Sequence, residues 1–200
     1  MIELTQHKII GLTGMSGAGK STVCKAFADN GFYIIDCDIV SREVVEAGMP
    51  ALKEIAKELS PKLISDDGTL NRHLTGEMIF NDSEKRAVFN RIIYPYITYN
   101  VVHKIKAANR DILLDAPTLF DARLDGICTE IISVCANTDV CVERIMRRDG
   151  ITEELARARL GSQRDVGWFQ KHSTHCIVNN SDKDSLFAQA QTVIKTLKGK

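Results

Sequence analysis

Gly14-Met15-Ser16-Gly17-Ala18-Gly19-Lys20-Ser21 fits the pattern G-x-x-x-x-G-K-[ST] in full. Its flanks agree with it. The apolar stretch Lys8–Thr13 reads as a buried strand, and Lys20–Asn30 reads as a helix stopped at Gly31. A strand running into a helix through such a loop forces a particular local geometry. The glycines let the backbone turn so that its N–H groups converge into an anion nest. The helix N-terminus adds partial positive charge beside it. Gly14, Ser16, Gly17, Ala18, Gly19, Lys20, Ser21 and Thr22 are therefore the candidate residues for the phosphates of ATP. The Lys20 ammonium reaches the β- and γ-phosphates, and the Ser21 hydroxyl is the candidate oxygen for Mg²⁺, with Thr22 beside it.

The remainder of the chain narrows the class. Its 200 residues allow about one domain with room for an inserted lobe. Lysine plus arginine equals aspartate plus glutamate, so the formal net charge is zero. A protein that coats nucleic acid or an anionic membrane needs a basic excess, so neither partner is expected. No N-K-x-D motif is present to read guanine, which argues against a switch GTPase. The six cysteines form no C-x-x-C pair, and a zinc site is not expected. No leader-like segment opens the sequence and no run of about 18 apolar residues spans a bilayer. A reduced, cytoplasmic, soluble protein is expected, as a monomer or small homo-oligomer.

Phe32–Asp36, Ile112–Leu114, Ile131–Cys135 and Cys176–Val178 read as further strands, apolar throughout and separated by helical patterns. That alternation predicts an α/β fold, a three-layer P-loop sandwich with a parallel sheet. The helical stretch before the third strand is too long for a simple crossover and predicts an inserted lobe or lid-like subdomain. A single domain over 1–200 is expected, with a core at about 1–60, 111–143 and 174–200. The lobe spans about 61–110, and a further helical segment spans about 144–173. Within the lobe, Pro95 is expected to end one helix and start another.

Phosphoryl transfer needs a group that orients and deprotonates the acceptor hydroxyl. Asp38 follows the second strand at the carboxyl edge of the sheet, where ligands bind in open α/β folds. The same position also suits an N-cap of the helix that follows. Asp115 ends the third strand and could hold Mg²⁺ through water, or be a strand-end turn acid. Arg144, Arg147 and Arg148 share a helix face, followed by Arg157, Arg159 and Arg164. Such arginines can clamp a phosphoryl group as charge develops, or offset a helix dipole.

The order of these segments resembles the dephospho-CoA kinase family over nearly the whole chain. Ile10–Val23 is similar to that family's opening, and Ile35–Val45 to its D-x-D segment and helix. Gly68–Arg72 with Ile79-Phe80, Ile112–Phe120, Arg144–Gln163 and Cys176–Asn180 continue the resemblance. It implies a nucleoside-monophosphate-kinase type of P-loop fold, with 61–110 as a helical acceptor-binding lobe and 144–173 as a helical lid, ATP and dephospho-CoA as substrates and Mg²⁺ as cofactor. It also implies that Asp38 is the base, Lys20 a catalytic cation and Arg148 a lid arginine near the phosphates. Arg144 joins the ATP-binding set. Tyr94-Pro95 stands where the family has His-Pro, and Gly76 stands near a second family arginine. Two alternatives accompany this expectation. One is a related kinase for a nucleoside or other small alcohol, and the other is a nucleotide-binding regulator with impaired catalysis.

Overall fold

The computed structural model describes residues 5–199. The polypeptide forms two compact units, one from 5–35 and 108–199, the other from Asp36–Ala107.

The first unit is built on a five-stranded sheet of order β2-β3-β1-β4-β5. Its strands are β1 (Ile9–Gly14), β2 (Tyr33–Asp36), β3 (Ile112–Asp115), β4 (Glu130–Cys135) and β5 (His175–Val178). β1 lies parallel between β3 and β4, and β5 lies parallel to β4. All five strands fall where the apolar runs predict them. β1 and β3 are buried at nearly every residue because helices cover the sheet, so no alternation is needed. Helix α1 (Lys20–Asp29) buries Val23, Ala26 and Phe27, spaced three and four apart on one stripe. The closing helix α9 (Lys183–Lys198) buries Leu186, Ala190, Ile194 and Leu197 in the same way and packs on α1. Ile10, Leu12, Phe27, Leu113, Ile132 and Val134 lie at the centre of this core. Each such side chain contributes about 1.5–3 kcal/mol on burial. After β4 come α6 (Thr138–Asp149), α7 (Glu153–Gly161) and α8 (Val166–His172). The last of these is a helix that the sequence pattern does not reveal.

The second unit is helical. It comprises α2 (Cys37–Glu43), α3 (Pro50–Glu58), α4 (Arg72–Asn81) and α5 (Ser83–Ala107). α2 and α3 both pack on α5, so they belong to this unit, whereas the apolar pattern alone draws them with the core. Lys104 Nζ of α5 reaches Glu43 of α2 at 3.1 Å, and the Tyr96 hydroxyl donates to Glu54 of α3 at 2.5 Å.

The expectation at Pro95 is corrected. α5 runs unbroken through it for 25 residues. An interior proline costs about 3 kcal/mol. Burial of Phe89, Ile92, Ile93, Ile97, Val101 and Ile105 along the same helix outweighs that several-fold. The break falls instead at Asp82, whose carboxylate accepts from the Glu84 and Lys85 N–H groups at 3.0 Å and so starts α5. No helix among the described residues is long and apolar enough to cross a membrane.

Candidate active site

The loop between β1 and α1 has the backbone its sequence requires. Gly14, Gly17 and Gly19 have φ of +145°, +78° and +106°. The loop is anchored by Met15 N–H donating to Val134 O at 3.0 Å and Ala18 N–H donating to Met15 O at 3.1 Å. Lys20 opens α1, and its ammonium forms an ion pair with the buried carboxylate of Asp115 at the end of β3. The pairing of β1 with β3 sets Leu12 beside Asp115 and so brings the two charges together. Asp115, chosen from a strand end, and Lys20, chosen from the glycine-rich loop motif, therefore share one site. Ser21 follows Lys20 and is exposed in the first turn of α1.

Two further side chains brace the loop. Arg144 of α6 donates to three backbone carbonyls, Gly17 O at 3.4 Å, Asn179 O at 3.2 Å and Ser181 O at 2.9 Å. Gln163, in the turn after α7, accepts from Ser16 N–H at 3.0 Å. Neither Asn179 nor Gln163 stands out in the sequence as a site residue. The only signals are the Asn179-Asn180 pair closing an apolar strand and a glutamine inside an arginine-rich segment.

The other arginines are held by carboxylates. Arg148 donates to Asp149 through Nε at 2.7 Å and through a terminal nitrogen at 2.9 Å, and Arg159 pairs with the same carboxylate. Arg148 foremost, and Arg159 after it, hold the Asp149 carboxyl down at about 2. Arg157 bridges Asp139 and Glu153, at 2.9 and 2.8 Å. Arg164 pairs with Asp121 at 2.8 Å while its guanidinium lies 4.3 Å from the Trp168 ring centroid. Trp168 in turn stacks on His172 at 3.9 Å and meets Phe120 edge-on at 4.7 Å.

In the helical unit, Asp36 is the cap of α2. Its carboxylate accepts from Asp38 N–H at 2.8 Å and Ile39 N–H at 3.1 Å. The capping reading of Asp38 therefore passes to Asp36, and Asp38 stands exposed in the first turn. A cleft of about 530 Å³ in this unit is lined by residues including Val45, Ser65, Thr69, Asn71 and Arg72. That volume is within the range of small-molecule sites. Gly76, on α4, has open space where a side chain would project.

Mg²⁺ takes hard oxygen ligands, commonly one or two carboxylates or hydroxyls plus substrate phosphates. The Asp115 carboxylate and the Ser21 hydroxyl are of that kind. The described residues contain no cluster of three or more acidic, histidine or cysteine side chains, so a purely protein-made cage is not part of this fit.

A parallel sheet whose first strand feeds a G-x-x-x-x-G-K-S loop, with a strand-end aspartate against the loop lysine, defines the P-loop nucleotide-binding class. The profile of the dephospho-CoA kinase family matches residues 8–185, and the chain belongs to that family. A dephospho-CoA kinase of Listeria innocua is 34% identical over 192 residues, covering 94% of this chain and 96% of the relative. One from Oryza sativa subsp. japonica is 32% identical over 194 residues, covering 95% and 84%. A crystal structure from Thermus thermophilus superposes with a TM-score of 0.81 at 24% identity, covering 96% of this chain and 99% of that one. That likeness speaks for the fold alone.

Proposed function

We propose that this chain transfers the γ-phosphoryl group of ATP to the ribose 3′-hydroxyl of dephospho-CoA, giving coenzyme A and ADP. The observation that carries the reading is the loop Gly14–Ser21, with Lys20 set against Asp115, in a chain of this family. In this reading the loop N–H groups and Lys20 bind the triphosphate and orient its γ-phosphorus. Asp38 accepts the proton of the 3′-hydroxyl as its oxygen bonds to that phosphorus. The bond to the β,γ-bridging oxygen breaks, and ADP leaves. Arg148 exchanges Asp149 for the transferring group, where its charge opposes the negative charge spread over the equatorial oxygens. Arg144 supports the nucleotide side through its hold on the loop. Ser21, and Asp115 through water, would hold Mg²⁺. When bound, the cation supplies charge neutralisation at the β- and γ-oxygens.

The test is ADP release with ATP and Mg²⁺ across dephospho-CoA, AMP and adenosine. Dephospho-CoA is expected to exceed the other two by at least about a hundredfold in kcat/KM, on the scale of a site built to bind a larger acceptor. Equal or better turnover of AMP or adenosine overturns the acceptor. Asp38→Asn is expected to lower kcat by about 10²–10⁴ with ADP affinity unchanged. Near-normal turnover in that variant removes Asp38 as the base.

A further inference from the structure

A loop that turns its N–H groups towards phosphate turns carbonyls the other way, into protein. Those carbonyls need donors, because a buried unpartnered carbonyl is costly. Two side chains from distant parts of the chain supply them. Asn179 Nδ2 donates to Ala18 O at 2.7 Å, and Arg144 reaches Gly17 O. Asn179 is only 4% exposed and Ala18 is fully buried. Asn179 is itself fixed from three sides. Its N–H donates to Cys135 O at 2.8 Å, its own carbonyl accepts from Arg144 at 3.2 Å, and the next residue's Asn180 Oδ1 accepts from Asn137 N–H at 2.7 Å. The approach is close. A β-carbon at Gly19 would lie 2.7 Å from Asn179 Nδ2.

The other end of this amide is informative. Asn179 Oδ1 is buried and has no hydrogen-bond partner among the described residues. A side chain serving only to fill this space would be better apolar, since leucine has nearly the same shape and leaves no orphaned acceptor. The donor end is what asparagine adds, and Ala18 O fixes which way the amide faces. A hydrogen bond to that carbonyl also polarises the peptide group it shares with Gly19, making the Gly19 N–H a stronger donor.

We infer that Asn179 is a positioning residue for nucleotide binding, holding the loop in its phosphate-ready form through the Ala18 carbonyl. This rests on the assignment of Gly14–Ser21 to the phosphates of ATP. The test compares the parent chain with Asn179→Leu and Asn179→Asp, both close in shape and neither able to donate as the amide does at neutral pH. ADP affinity is measured by calorimetry and both KM values by steady-state kinetics. The expected result is a rise of about tenfold to a hundredfold in the ADP Kd and the ATP KM. The KM for dephospho-CoA stays within about twofold, as an effect confined to the donor loop requires. Unchanged ADP affinity in both variants overturns the inference. So does a fall in kcat with neither KM altered, which marks an interaction made only in the transition state rather than one that readies the loop to bind nucleotide. Should either variant fail to fold, Asn179→Ser repeats the comparison without added bulk or charge, and failure of all three to fold assigns Asn179 to folding alone. Lys20→Met separates the underlying assignment. A parent chain that does not bind ADP, or binds it equally without Lys20, overturns the loop's role rather than that of Asn179.

Discussion

A β-carbon at residue 14 would stand 2.1 Å from the Val134 carbonyl oxygen, well inside contact distance. That oxygen cannot withdraw, because it accepts the Met15 N–H that starts the loop. The φ of +145° adds a second obstacle, since only glycine adopts it without strain. Gly14→Ala therefore has to move β1 away from β4 or refold the loop. The expected outcome is a loss of at least about 2 kcal/mol of stability from strain and overpacking, together with loss of ADP binding. Urea unfolding and calorimetry measure the two. A variant as stable as the parent with intact ADP binding contradicts the geometry described for this turn. At the same scale, Lys20 and Asp115 are legible from their positions in the sequence, but their ion pair is not. It depends on the β1–β3 register, which brings together residues 95 positions apart.

Among the elements, α6 ends with an arrangement that works against its own dipole. Asp149 is an acid in the last turn, where carbonyl ends make negative charge unfavourable. Arg148 and Arg159 offset this by gripping its carboxylate. Because the folded carboxyl titrates at about 2, below its ordinary 3.8, this pairing stabilises the folded chain fully above about pH 4. The contribution fades as pH falls through the interval down to about 2. Asp149→Asn lacks that titration. The difference in urea midpoint between parent and variant is expected to be constant from pH 5 to 7 and to shrink below about pH 4. A difference that stays constant down to pH 2 contradicts the pairing. Legibility at this scale follows energetics. The five strands and α1 are readable because burial on a covered sheet leaves a continuous apolar signature. α8 escapes notice because seven residues make too short a period, although Asp165, which accepts from Trp168 N–H at 2.7 Å, is a usable N-cap signal. Pro95 misleads because a local breaker is overruled by the apolar face of α5. Asn179 is unreadable for a different reason. Its partner is a backbone carbonyl 161 residues away, and no side-chain pattern records a carbonyl.

Over the whole molecule, the sheet unit carries the Gly14–Ser21 loop, Asp115, Arg144 and Arg148, while the helical unit carries Asp38 and the cleft beside Arg72. The two substrates of the proposed reaction thus draw on different compact units. A ligand protects the groups it touches most directly, and it stabilises the state it binds in proportion to ln(1 + [L]/Kd). For a ligand at a hundred times its Kd that amounts to about 2.7 kcal/mol. Hydrogen exchange with ADP alone is therefore expected to slow the amides of Gly14–Thr22 and of the Asn179–Ser181 turn that braces them. Amides within Asp36–Ala107 should change little under that condition. Dephospho-CoA, added alone, is expected to reverse the pattern, slowing exchange around Asp38 and along the cleft from Ser65 to Arg72. The two patterns are separable only if each unit holds its own ligand. Equal protection of both units by ADP alone would mean that the donor nucleotide engages the helical unit directly, and the assignment of that unit to the acceptor would fall.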